Sequence, residues 1–278
     1  MMWLLAILVS ICTVGQSSVT KTASIKNKAD SSMQFNALKV GSSLLFFLLL
    51  SFYKMKFHLP TVLIATVYGF ALFFSTFFGY MALMYGSMAI TSLIVSYSVI
   101  IPCIFGITFL NEALSFIQSM GIALLLISMY LLKHQSKSEK ISKQWFVCVA
   151  VTFLCNGICS VIQKLHQTVY PSEYCNEFMI CSLFVTFLLF LIISIYKNEE
   201  KVTMVRKHAV LSGILMGLAN YLTLVLSSKV NAAVLFPTIS VFSMLCNVII
   251  SKLYFKDNFN AMQLIGIGLG VFSVLLIK

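Results

Sequence analysis

The residues of this 278-residue chain that could do chemistry are few, and most of them are uncharged. Gln16, Tyr80, Tyr97, Asn156, Gln163, Asn220 and Tyr221 fall inside long apolar runs or near their ends, and Ser92, Ser96 and Thr238 add hydroxyls. Hydrocarbon offers such groups no partners, so they must bond between helices or line a wet cavity. Their chemistry is recognition of a solute by hydrogen bonds, and the tyrosine rings also suit an apolar or cationic face. Asn156, Asn220, Tyr221 and Tyr80 are the first candidates. Lys21 and Lys164, six and seven residues after Gly15 and Gly157, are placed to contact a charged solute from opposite sides. Lys39, Glu177 and His166 also lie near ends of apolar runs, where snorkelling to the interface is the plain explanation.

Catalysis needs a positioned nucleophile, base or metal. His58, His134, His166 and His208 lie in or beside loops, far apart, and no His–Asp or Glu–His spacing recurs. Cys148, Cys155 and Cys159 form one stripe at helical spacing. No histidine or carboxylate joins them, so they read as packing residues and not as a metal or redox site. No carboxylate occupies the middle of an apolar run, which weakens an antiporter that holds its cation on a buried acid. Glu112 and Asp257 stand just ahead of the fifth and tenth runs, where a helix dipole favours a carboxylate by about 0.3–1 kcal/mol. Pro102 and Pro237 each remove an amide donor and are candidate kinks for gating. No catalytic residue, metal or cofactor is expected. There is no G-x-x-x-x-G-K loop for a nucleotide.

The elements that must hold these residues are membrane helices. Hydrophobic residues make up 60% of the chain and charged residues 10%, and mean hydropathy is +0.98; soluble domains carry about 25% charged residues. Ten apolar runs follow one another: Trp3–Val19, Leu38–Tyr53, Thr61–Leu83, Met88–Leu110, Phe116–Leu132, Trp145–Ile162, Phe178–Tyr196, Ala209–Leu226, Ala232–Tyr254 and Ala261–Ile277. Each is close to the roughly 20 residues a helix needs to cross about 30 Å of hydrocarbon. The first is retained as a transmembrane helix and not a cleaved signal, because it has an internal twin. The net charge of +11 sits mainly in short loops, where it orients helices and meets anionic head groups, so no nucleic acid is expected.

The basic stretch Lys133–Lys143 divides the runs into five and five. Glu112, Gln118, Gly121 and Lys133 recur as Asp257, Gln263, Gly266 and Lys278 at one constant offset, and Trp3 and Gly15 recur as Trp145 and Gly157 at another. Tyr80 likewise has Tyr221 as its counterpart. Ordered matches of this kind are an internal repeat. Because five is odd, the second half starts on the opposite side of the membrane. The expected fold is therefore an all-α polytopic membrane protein of ten transmembrane helices in two inverted five-helix repeats. The repeats cover residues 1–135 and 144–278 with a basic linker at 136–143, and a site is expected at their interface.

The spacing of Trp3, Gly15 and Lys21, Pro102 ten residues ahead of Glu112, and Gln118-x-x-Gly121 resembles the drug/metabolite transporter superfamily, specifically its EamA-type ten-helix members. Trp145, Gly157, Lys164, Asp257 and Gln263-x-x-Gly266 carry the resemblance through the second half. The chain departs from the pattern where Asn247 stands in the proline position and where the tryptophan–glycine dipeptide is missing, so the resemblance carries over no substrate contacts. It implies a secondary transporter that moves a small organic metabolite by alternating access through a central cavity. An excess of lysine near the cavity mouths adds a leaning to amino-acid-like, zwitterionic or anionic solutes. A lipid or lipid-linked sugar flippase is the alternative, with a membrane-embedded enzyme behind it. The expected partners are the small-molecule substrate and membrane lipid, in a monomer or weak homodimer of the plasma (inner) membrane. Gly213-x-x-x-Gly217 and Gly266-x-x-x-Gly270 are expected to pack helices within the chain before forming a dimer seam.

Overall fold

The computed structural model describes residues 2–26, 31–51, 56, 58–86, 88–110, 115–132, 142–171, 173–197, 205–254 and 261–277. Glu112, Asp257 and most of the basic linker lie outside the described residues, as do the side chains of Trp3, Gln118 and Gln263. The described residues are all-helical, without a strand. The helices are α1 (Met2–Lys26), α2 (Ser32–Ser51), α3 (Leu59–Tyr85), α4 (Met88–Ser96), α5 (Ile100–Phe109) and α6 (Phe116–Leu132), followed by α7 (Lys143–Val169), α8 (Cys175–Tyr196), α9 (Arg206–Ser227), α10 (Ala232–Leu253) and α11 (Ala261–Ile277). Six of them, α1, α2, α3, α7, α8 and α9, are long and apolar enough to cross a membrane. The protein is an integral, multi-pass membrane protein on this ground.

The helices differ from the apolar runs in two ways. Several extend well past the run: α1 continues through Lys21, Thr22 and Ser24, and α7 through Lys164 and His166. In these extensions Lys21, Lys164 and His166 reach beyond their own helix while Thr22 and Ser24 bond within α1, so a hydropathy boundary cuts the helices short. The fourth run is split in two. A 3-10 turn at Tyr97–Val99 separates α4 from α5, and Pro102 follows at the third residue of α5. Proline has no amide to bond the Ser98 carbonyl, which accounts for the break. Pro237, by contrast, lies inside α10, which continues through it.

Packing is dominated by contacts between the first and second halves of the chain. α1 packs on α9 and α10, α2 on α8 and α9, α3 on α7 and α8, α4 and α5 on α7 and α10, and α6 on α11. The largest apolar core lies among α2, α3 and α8. There Phe73 meets Phe190 with ring centroids 4.5 Å apart, and Tyr68 meets Phe178 at 5.1 Å. Large apolar side chains such as Leu49, Phe116 and Tyr196 point outward, as they do on a surface wetted by lipid.

Glycine sets the closest crossing. At Gly213 an added Cβ would collide with the backbone carbonyl oxygen of Lys39 and lie 2.8 Å from the Ser42 Cβ. At Gly217 it would lie 2.9 Å from the Phe46 ring. This glycine pair thus packs α9 onto α2 inside the chain. In the second pair the Gly266 carbonyl accepts a 2.6 Å hydrogen bond from Ser128 Oγ, which joins α6 to α11. Gly268 has open space around it. Gly213→Ala is therefore expected to lower the unfolding temperature in detergent by about 5 °C, in line with the roughly 1–3 kcal/mol that overpacking costs. Gly268→Ala should leave it within about 1 °C, since added bulk there meets nothing.

Candidate functional site

A cavity of about 320 Å³ lies between the halves, within the size range of small-molecule sites. Its wall is built by α1, α2, α3 and α4 with the 3-10 turn from the first half, and by α7, α9 and α10 from the second. Gln16, Tyr80, Asn156, Gln163 and Asn220 line it, together with Ser92 and Ser96. Asn156 is held by donating from Nδ2 to Ser98 Oγ at 2.8 Å, in the turn that precedes Pro102. Tyr80 is buried, with its ring 5.1 Å from that of Phe35.

Three sequence candidates lie outside the wall. Tyr221 turns to the α2–α9 seam, where its ring meets Phe47 at 6.2 Å. Tyr97 packs beside the small cluster of Val99, Cys103 and Phe236. Thr238 is buried and donates to the Val234 carbonyl one turn back, at 2.7 Å. The repeat therefore places Tyr80 and Tyr221 alike along their helices but not around them.

The two lysines expected to face a solute are occupied elsewhere. Lys21 Nζ donates to the carbonyls of Leu83 (2.6 Å) and Gly86 (2.7 Å). Lys164 Nζ donates to those of Ser227 (3.3 Å) and Val230 (3.0 Å). Each caps a helix C-terminus, α3 in one case and α9 in the other, where carbonyls lack intrahelical partners and the dipole favours a cation. Glu177 and His166 are tied down too. Glu177 accepts from the Lys56 amide at 2.8 Å, and the buried His166 ring bonds Thr61 Oγ1 at 3.2 Å and Gln167 Nε2 at 3.0 Å.

Lys39 is the residue that sequence reasoning misplaced. It falls at the edge of the apolar run Leu38–Tyr53, which suggests a snorkelling position. The helix begins at Ser32 instead, so Lys39 lies two turns inside it, pressed against α9 at Gly213. Lys39 is 5% exposed and lines the cavity. The signal available beforehand was Asn36 and Ser32 ahead of it at helical spacing, which extends the helix backward.

The hydroxyls of the wall are mostly satisfied within their own helices. Ser17, Thr20, Thr152, Ser160 and Thr223 each donate to the carbonyl four residues back, at 2.7–3.1 Å, and Thr13 shares a 2.9 Å bond with Ser243 between α1 and α10. Several amides are not. Gln163 Nε2, Asn220 Nδ2 and Asn247 Oδ1 have no partner among the described residues. Asn247, noted in sequence only as a missing proline, is thus part of the wall. Among the described residues no His, Cys, Asp and Glu group capable of holding a metal occurs.

Residues 143–278 match the family model described as the EamA-like transporter family. A solved crystal structure, described simply as that of a protein and one of 29 matching chains, is similar over 99% of this chain and 97% of that one. Its TM-score is 0.73 at 15% sequence identity, a likeness of fold alone. No curated protein sequence matches.

The different surroundings of the lysines give opposite expectations for stability. Lys21→Met strands two helix-end carbonyls and should cost about 1.5–3 kcal/mol, read as a fall in the detergent unfolding temperature. Lys39→Met removes a buried amino group that no described residue holds, and should leave that temperature unchanged or raise it. An equal fall in both variants would show that the protein itself holds Lys39.

Proposed function

As a member of the drug/metabolite transporter superfamily, with a second half that matches the EamA-like transporter family, this protein is, we propose, a secondary transporter of a small organic metabolite. The observation that carries the reading is the cavity itself, whose wall is shared between the two halves of the chain. The solute would bind there and be reached alternately from the two sides, as expected when inverted repeats meet near the membrane midplane.

Two features support ten crossings in inverted five-helix repeats. The main packed helix pairs map onto themselves when α1, α2, α3, α4 with α5, and α6 are exchanged for α7, α8, α9, α10 and α11. The lysine caps obey the same exchange, since Lys21 joins α1 to the end of α3 and Lys164 joins α7 to the end of α9. On this reading the shorter apolar helices complete the set of crossings, with α4 and α5 acting as one bent span. Gln16, Tyr80, Asn156, Gln163 and Asn220 are the proposed solute contacts. The plasma (inner) membrane is the proposed location. Transport proceeds without a bound nucleotide or cofactor.

The test is transport by purified protein in liposomes. A thermal-shift screen of metabolites in detergent comes first, because a ligand at a hundred times its Kd adds about 2.7 kcal/mol to a folded state that alone binds it. Hits are then carried into counterflow. Asn156→Ala and Gln163→Ala should each raise the KM for uptake about fivefold to tenfold, the worth of one hydrogen bond to a solute, with little change in unfolding temperature for Gln163→Ala. If no solute of a broad panel crosses in either direction, while a lipid analogue becomes protected from an impermeant reagent, the metabolite reading falls and a flippase takes its place.

A further inference from the structure

Lys39 is, among the described residues, the one charged residue in the cavity wall, and no carboxylate lines it. Among the described residues Lys39 has neither a hydrogen-bond nor an ion-pair partner, although only 5% of its surface is exposed. An unpaired ammonium in a low-dielectric site is costly, and an anion that pairs with it removes that cost. Gly213 brings α9 against the backbone at Lys39 and fixes where the side chain starts.

The register of the helices locates this charge along the cavity. α2 and α9 run parallel, with Gly213 against Lys39, Gly217 against Ser43 and Phe46, and Tyr221 against Phe47. Phe35, one turn before Lys39, packs against Tyr80 near the C-terminal end of α3. Asn220 is seven residues beyond Gly213, about 10 Å along the axis at 1.5 Å per residue. Gln163 lies farther toward the opposite end, next to Lys164 and one turn from His166, which bonds Thr61 at the start of α3. The cavity therefore has a cation toward one end. Toward the other it has two uncharged amide groups, Asn220 Nδ2 and Gln163 Nε2, that lack partners among the described residues.

We infer that the solute of this cavity is an organic monocarboxylate whose carboxylate binds Lys39 and whose uncharged polar part accepts from Asn220 and Gln163. This rests on the reading of the cavity as a solute site. One carboxylate neutralises the amino group and forms a charge-assisted hydrogen bond with it. A dianion would bring a second charge that the wall does not answer, and a simple cation would find no acid to receive it. An inorganic anion would satisfy Lys39 but leave the distant amides untouched. An organic body spans both.

The experiment uses the purified protein and matched probes: a set of small unsubstituted, 2-hydroxy and 2-oxo monocarboxylic acids, each compared with its methyl ester, plus chloride and phosphate. Acids should raise the unfolding temperature of the unaltered protein, and their esters should not. Lys39→Gln should weaken binding of the best acid at least about tenfold, and Lys39→Arg should retain most of it. The inference is overturned if esters bind as well as acids, if Lys39→Gln binds like the unaltered protein, if no acid binds, or if chloride or phosphate alone reproduces the shift. The comparison of acid with ester needs no variant, so a misfolded Lys39→Gln does not blunt it. Counterflow separates this from the transport reading. Acids that bind through Lys39 but never cross liposomes leave the site assignment standing and remove transport; uncharged solutes that cross regardless of Lys39 do the reverse.

Discussion

A chain that crosses hydrocarbon must satisfy its own polar groups, and this requirement organises the molecule. Water is not there to take up a stray hydroxyl, so serines and threonines fold back onto carbonyls of the preceding turn in α1, α7 and α9. Others reach across to a neighbour, as Thr20 does to Ser212 at 3.0 Å and Thr186 to the Gly69 carbonyl at 2.9 Å. Bonds of the first kind hide polarity within a helix, and those of the second kind join helices. Of the buried polar atoms without a partner among the described residues, Gln163 Nε2, Asn220 Nδ2 and Asn247 Oδ1 belong to the cavity wall, while Asn36, Ser43, Ser51, Asn176 and His208 hold others elsewhere. Several hydroxyls of the cavity wall are spent on the fold, and on the proposed reading three of its amides and Lys39 are groups left to meet a solute.

The close crossing of α2 and α9 connects this bookkeeping to the backbone. Two glycines one turn apart remove the side-chain layer between the helices, so main chain approaches main chain. Without that approach Lys39 would lie at a wider radius, nearer the lipid, where a long side chain snorkels outward at small cost. A packing motif that reads in sequence as simple helix adhesion therefore also decides the environment of a charge.

Much of the architecture was legible from composition alone. The described limits of α6 and α11 coincide with their apolar runs. Helices α1 and α7 were underestimated, because their last turns are polar and yet packed. The site was legible in part. Asn156, Asn220 and Gln163 stand out as amides in apolar surroundings, and that chemistry holds whatever their orientation. Facing was harder: Tyr80 and Tyr221 share a place in the repeat, but one turns to the cavity and the other to Phe47, a choice made by neighbours far away in sequence. The lysines show the same limit, since distance from an apolar boundary does not reveal whether a helix end lies within reach.

The two lysine caps have a mechanical consequence. Lys21 ties α1 to α3 at the C-terminal end of α3, and Lys164 ties α7 to α9 near the end where α3 begins. Since α1 packs on α9 and α3 packs on α7, each cap also fastens one of these packed pairs to the other, and the fastenings lie at opposite ends of the bundle. Parting α1 from α3 at one end requires Lys21 to release two carbonyls, while the bonds of Lys164 act as the pivot. Motion in the opposite sense exchanges the roles. In the alternating access proposed above, the caps would act like a pair of latches on a rocking beam, in which releasing one leaves the other bearing the load.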